Sequence, residues 1–247
     1  MDDRLPDGVA RVRADNPSPL TLDGTNTYVV ERWVVDPGPA DDRHLDAVVA
    51  AAGGSVDGIV LTHGHADHSE GAPPLADRPG AEVVRPRGGD RIGPFDAIAT
   101  PGHATDHVSL LAGRALFTGD TVLGTGSVFI VPGEGSLSAY LDSLRRLREL
   151  DTEAILPGHG PVVWDPRAKL DEYIAHRLDR ERRVLEALDA GARTGDELLD
   201  RAWSDVDFEA APYLRFAAAA TLEAHVEKLE EEGRLPAGVE RQVLGWP

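Results

Sequence analysis

The segment Thr62-His63-Gly64-His65-Ala66-Asp67-His68 directly follows the apolar run Gly58-Ile59-Val60-Leu61. A short aliphatic run with glycine at its start reads as a buried strand, so the three imidazoles and one carboxylate stand at a strand mouth. Three later segments repeat this texture: Pro101-Gly102-His103, Thr118-Gly119-Asp120 and Pro157-Gly158-His159-Gly160. Each follows a stretch that also reads as a strand. Open α/β architectures place their chemistry at such strand ends, so the four segments restrict the chain to a fold that gathers them.

The donors in these segments are His63, His65, Asp67, His68, His103, Asp120 and His159. A single zinc takes about four ligands, whereas seven donors suit two cations about 3.5–4 Å apart that share a carboxylate. His63 and His65 lie two apart and point to one side of an extended segment, while Asp67 and His68 fall beyond a turn and address a second point. Six of the nine histidines occupy such turn contexts, which disfavours a chance scatter. The chain has no cysteine. Disulfides and thiolate ligands are therefore absent, and a closed structural zinc site, which favours cysteine, is disfavoured. Nitrogen and oxygen donors together favour zinc and leave manganese and iron open.

At 247 residues, with 41% hydrophobic and 28% charged residues, the chain can bury a substantial core. Strands are predicted over 9–13, 27–30, 33–35, 58–62, 81–84, 97–99, 108–111, 115–118 and 154–156. Helices are predicted over 41–52 and 136–149, the second with Ser136 as N-cap and a stripe of Leu137, Leu141, Leu144 and Leu147. After Asp165-Pro166 the texture becomes helical and charge-rich. Helices are predicted over 167–190, over 194–203 with a Thr194/Glu197 capping box, and over 211–232, with at most a hairpin in 234–247. The expected division is a catalytic domain over 1–168 and a small winged-helix-like domain over 169–247. No run of about 18 apolar residues predicts a membrane span. The charged start Met1-Asp2-Asp3-Arg4 lacks an apolar h-region and, with the lack of cysteine, predicts a cytoplasmic protein.

The order and spacing of the four donor segments resemble the metallo-β-lactamase superfamily, whose His-x-His-x-Asp-His signature is matched by His63 to His68. The resemblance spans about residues 25–165. It implies an αββα sandwich with a metal pair at one edge. It assigns His63, His65 and His103 to one metal, Asp67, His68 and His159 to the other, and Asp120 to both. Asp36, in Val34-Val35-Asp36-Pro37-Gly38, matches an early aspartate that orients the site. The implied chemistry is hydrolysis by a metal-bridging hydroxide, with Asp67 and Asp120 as catalytic ligands. Thr25-Asn26-Thr27-Tyr28, Thr100-Pro101-Gly102-His103 with His107, and Tyr173-Ile-Ala-His176-Arg177 look like the β-lactamase-like protein 2 group, with glyoxalase II as a neighbouring branch. That likeness implies two substrate classes, small esters or thioesters and single-stranded RNA.

Charge discriminates between them. The chain carries 25 Lys+Arg against 43 Asp+Glu, a net −18, and from Arg177 onward the counts are 10 against 16. An acidic surface opposes nucleic acid and anionic lipid, which favours a small ester or thioester over RNA and weighs against a DNA-binding sensor. Arg177, Arg180, Arg182 and Arg183 form one basic cluster. It either grips a phosphate or carboxylate, or pairs with Asp179 and Glu181. The helical section then serves as a lid or as the surface of a homodimer. His107 either buttresses its loop or contacts substrate, and His176 either caps the site's mouth or belongs to an ordinary amphipathic helix. His44 and His225 are expected to be solvated, and Trp33, Trp164, Trp203 and Trp246 to pack in the core or an interface.

Overall fold

The computed structural model describes residues 4–78 and 80–237. Five strands form one sheet in the order β1 (Val9–Arg13), β2 (Asn26–Val30), β3 (Trp33–Val35), β4 (Gly58–Val60) and β5 (Glu82–Val84). The first three pair antiparallel, and β3, β4 and β5 run parallel. The second sheet has the order β10 (Ala154–Pro157), β9 (Ala115–Gly119), β8 (Val108–Ala112), β7 (Phe95–Ala99) and β6 (Arg91–Ile92). Here only β10 and β9 are parallel.

The period-two side-chain alternation of strands builds the layers. Tyr28, Val30, Val35, Val60, Phe117 and Leu156 point inward and, with Phe95 and Leu110, form the core between the sheets. Their neighbours Val29, Val34 and Ile59 point outward, where α1 (Asp42–Ala51) and α3 (Ala72–Asp77) cover them through Leu45, Val48 and Leu75. On the opposite face Leu116 and Ile155 meet α4 (Leu137–Arg148) and α5 (Pro166–Asp189). The expected αββα sandwich is therefore present. The one-turn helix α2 (Ala66–Ser69), together with α3 and β6, escaped the sequence reading; each is too short to show a hydrophobic period.

Helix starts follow capping chemistry. The side chains of Ser136 and Asp165 accept from Ala139 N and Ala168 N at the starts of α4 and α5. Thr194 accepts from Glu197 N at the start of α6 (Gly195–Ala202). The reciprocal half of the expected capping box is displaced by one residue, because the Glu197 carboxylate accepts from Arg193 N.

The 24-residue helix α5 joins two bodies. Its Leu170 and Tyr173 belong to the cluster under the second sheet. Its Val184, Ala187 and Leu188 pack with α6 and α7 (Tyr213–Glu231) around Leu199, Trp203, Leu222 and Val226. The hairpin expected over 234–247 and Trp246 lie wholly or largely outside the described residues. Among the described residues, no helix is long and apolar enough to cross a membrane.

Two expectations are corrected. His44 is buried, because its Nε2 meets Thr27 Oγ1 at 2.9 Å beneath the site. His225 is fully buried, because α7 packs both its faces against neighbouring elements and Trp203 lies against the ring.

Candidate metal centre

The loops that leave β4, β7, β9 and β10 converge at one edge of the sandwich and bring all seven donors together. Donor atoms of His63, His65 and His103 lie within 4.8 Å of one another, as do those of Asp67, His68 and His159. Asp120 spans both groups. Its Oδ1 lies 3.3 Å from His68 Nε2 and 3.4 Å from His159 Nε2, and its Oδ2 lies 3.7 Å from His103 Nε2.

Hydrogen bonds behind the rings fix which nitrogen each imidazole presents. The Thr62 hydroxyl donates to Asp36 Oδ2 at 2.7 Å, so its lone pair accepts from His63 Nδ1 at 3.0 Å. His68 Nδ1 donates to Asp36 Oδ2 at 2.8 Å, His103 Nδ1 to Phe129 O at 3.3 Å, and His159 Nδ1 to Gly24 O at 3.4 Å. Each ring is thereby left with a bare Nε2 lone pair toward the cluster, the arrangement that metal-ligating histidines adopt. His65 faces the cluster with Nδ1, 3.0 Å from His103 Nε2.

Acceptors that face one another need a proton or a metal cation between them. His68 Nε2 and His159 Nε2 are 3.2 Å apart, and His63 Nε2 and Asp120 Oδ1 are buried with no hydrogen-bond partner. Bonds of about 2.0–2.1 Å to a tetrahedral ion put neighbouring nitrogens about 3.3 Å apart, close to the separations seen here. The donor set therefore fits divalent ions.

Electrostatics divides the cluster. Burial, with the neighbouring His68 and His107, pushes His63 well below the ordinary imidazole value, and burial lowers His103 as well. Burial also opposes charge on His68 and His159, but Asp120 outweighs it, aided by Asp36 at His68 and by Asp67 at His159. His68 rises well above its ordinary value and His159 to about 9. Burial would raise Asp120, yet His68 and His159 hold its carboxyl well below the carboxylate range.

Local backbone makes this crowding possible. Asp36 adopts φ 48°, a left-handed conformation, while its carboxylate takes bonds from Thr62 N at 2.8 Å, Thr62 Oγ1 and His68 Nδ1. A Cβ on Gly158 would stand 2.5 Å from His68 Cε1 and 2.8 Å from Asp120 Oδ1, so only glycine lets the β10 loop approach.

The remaining sequence candidates fall around the donors. Asn26 is buried and clamps the His159 loop, donating to Pro157 O at 3.0 Å and Gly160 O at 2.8 Å. His107 is buried, accepts from Asp120 N at 3.2 Å and meets Thr100 Oγ1 at 3.0 Å. It buttresses the loop. His176 and Arg177 stand away from the donors but line the same cavity, of about 700 Å³, onto which His65, Asp67, His103 and Asp120 open. Sequence reasoning missed Thr62 as the link between Asp36 and His63, and His44 and Thr27 behind it. Thr62 adjoins the motif and was open to inspection; the Thr27–His44 contact has no sequence signal.

Comparison with known proteins identifies the family. The metallo-β-lactamase superfamily profile matches residues 20–98 and 87–159. A β-lactamase-like protein 2 homolog of Caenorhabditis elegans is 32% identical over 94% of this chain and 87% of its own length. An atrochrysone carboxyl ACP thioesterase of Aspergillus fumigatus is 33% identical over 75% of this chain and 66% of its own. The crystal structure of a metallo-β-lactamase family protein from Thermus thermophilus shares the fold, with a TM-score of 0.71 at 23% identity over 92% of this chain and 94% of that one. The chain is a metal-dependent hydrolase of the metallo-β-lactamase superfamily.

Proposed function

We propose that the protein hydrolyses an ester or thioester of a small substrate with an apolar acyl part, using two divalent cations, preferably zinc. The observation that carries this reading is the cavity in front of the donors: it is walled largely by apolar side chains from the 123–131 loop, the 203–208 segment that follows α6, and α7. Such a chamber suits an acyl group and offers no track for a sugar–phosphate backbone. Three of the four arginines of the α5 cluster, which an RNA would need, are engaged elsewhere. Arg182 and Arg183 pair with Asp179 at 2.6 and 2.8 Å, and Arg180 pairs with Asp205. A thioesterase among the relatives supports the same reading.

In this reading His63, His65 and His103 hold one cation, Asp67, His68 and His159 the other, and Asp120 is shared. When bound, such cations polarise a carbonyl oxygen and make water nucleophilic at neutral pH. Asp67, whose side chain is 32% exposed, faces the cavity and orients the attacking water. Asp36 and Thr62 hold His68 and His63 in place, and His107 fixes the backbone of Asp120. Of the described residues, those up to 168 form the catalytic domain and those from 169 to 237 form its roof, with α5 shared between them.

The test is a parallel panel of acyl-thioester, ester, lactone, phosphodiester and single-stranded RNA substrates. Thioester or ester turnover is expected, lost in Asp120→Ala and after chelation, and restored to the chelated wild type by zinc, manganese or iron. RNA cleavage without ester or thioester turnover would overturn the reading.

A further inference from the structure

Among the described residues, Arg177 is a buried cation that no carboxylate pairs. It is 2% exposed, its guanidinium lies 5.4 Å from the centre of the Tyr140 ring, and its Nη2 donates to Val128 O. Its Nε has no partner, and no carboxylate of the described residues forms an ion pair with it. One turn further along α5 the protein does supply a counter-ion: Arg180 is gripped by both Asp205 oxygens, at 2.6 and 3.0 Å. Leaving a charge buried and unpaired is costly, by several kcal/mol in general.

Among the described residues, the imidazoles beside Arg177 supply no counter-charge either. His176 Nδ1 and both ring nitrogens of His225 are buried without partners. Burial first, and then the charge of Arg177, keep both imidazoles neutral, with His176 lowered to about 4. The cavity that Arg177 lines has an apolar part made by Leu123, Val128, Trp203, Val206 and Phe208, while its carboxylates, Asp67, Asp120 and Glu134, make no ion pair with Arg177. Arg177 is also tied to the metal centre. It donates to the carbonyl of Val128, and the next carbonyl, of Phe129, accepts from His103. Cation and donor cluster thus stand on two sides of one short loop and line one chamber.

We propose that Arg177 is the binding site for a single anionic group, a carboxylate, carried by an otherwise apolar substrate whose scissile bond lies at the donor cluster. This rests on the proposed hydrolase reading for the substrate, but the site itself is testable without turnover. Charge-assisted hydrogen bonds from a guanidinium to an anion are the strong ones, and burial of Arg177 beside apolar side chains strengthens them further.

The probes are 8-anilinonaphthalene-1-sulfonate and N-phenyl-1-naphthylamine, which share a ring system and differ by the sulfonate. Their affinities for the metal-loaded protein are read by fluorescence. Arg177→Gln is expected to lower the ratio of sulfonate to neutral-probe affinity by about tenfold or more, and Arg177→Lys by less, as loss of a charged hydrogen-bond donor implies. A ratio that stays within about twofold of wild type in Arg177→Gln overturns the proposal. So does a ratio that collapses on chelation, which would put the anion on the metal. Should both variants fail to fold, the wild type decides. 1-Octanesulfonate should displace N-phenyl-1-naphthylamine at a midpoint at least about tenfold below that of 1-octanol, and equal midpoints refute the site. Ester or thioester turnover with an unchanged probe ratio would keep the proposed function and discard Arg177; a charge-selective chamber without turnover would do the reverse.

Discussion

Asp36 shows how much of this site depends on one side chain. A non-glycine residue in the left-handed region is strained by about 1–3 kcal/mol, and aspartate bears it better than most. Here the strained backbone aims one carboxylate at Thr62 and His68, and through Thr62 it sets the tautomer of His63. Asp36→Ala is expected to weaken metal binding by about 10–100-fold, measured by competition with a chromophoric chelator. Asp36→Asn keeps a residue tolerant of the left-handed region but cannot accept at both positions, so it should retain more thermal stability than alanine while losing a similar metal affinity. His176 and His225 give a second prediction. Both have folded values below the ordinary imidazole value of 6.5, His176 at about 4. The unfolded chain therefore binds protons first as pH falls, so stability drops from about pH 6.5 toward 4 and is unaffected above that window. Denaturant midpoints across this range should fall less steeply in His176→Gln than in wild type. Equal slopes would refute the assignment.

Elements decide whether donors on separate loops can meet. Four strand ends deliver them, and helices lock the loops behind. Ser143 on α4 donates to Pro101 O at 2.7 Å, Ser136 N donates to Gly102 O at 2.9 Å, and the backbone of Tyr140 fills the space against Gly102. The β10 loop is held by Asn26 at the start of β2 and by Tyr28, whose hydroxyl donates to Pro157 O at 3.0 Å. Gly158 is where the β10 loop comes closest to the donors themselves. Gly158→Ala should fold, because the sandwich core does not include that position, yet bind metal at least about tenfold more weakly, since its methyl displaces His68 or Asp120. Metal content by elemental analysis, alongside circular dichroism, checks this; full stoichiometry and affinity would show that the loop yields freely.

At the scale of the molecule, α5 couples catalytic body and roof. Its first turns pack in the cluster under the second sheet, with Tyr173 Oη accepting from Leu123 N at 3.1 Å, and its last turns form the small helical cluster. Trp203 closes that cluster and lines the chamber, with the Arg180 guanidinium 5.1 Å from its ring centre. Trp203→Ala should cost about 3–5 kcal/mol of stability, as a buried aromatic truncation does. It should also raise KM for long-chain acyl thioesters more than for acetyl thioester. A uniform change in KM across chain length would show that the roof does not contact the acyl group.

Much of this was legible in the chain. The seven donors declare themselves because hard and borderline cations demand particular donor atoms, and because each donor follows an apolar run bounded by glycine or proline. The αββα layers were implied by the family resemblance of the donor segments, and the ends of α4 by Ser136 and its leucine stripe. Tertiary structure alone decided the rest. Burial of His44 and His225 depends on what lies across from them: His225 sits in a helix rich in Ala and Glu, and no local pattern reveals that Trp203 covers it. The pairing of Glu181 with Lys228 and Arg234, and of Arg180 with Asp205, which leaves Arg177 alone, was likewise undetermined. Local sequence dictates donor chemistry and strand or helix period, because both act over a few residues. Which charges find partners is set by contacts between residues distant in the chain, and only the folded molecule brings those together.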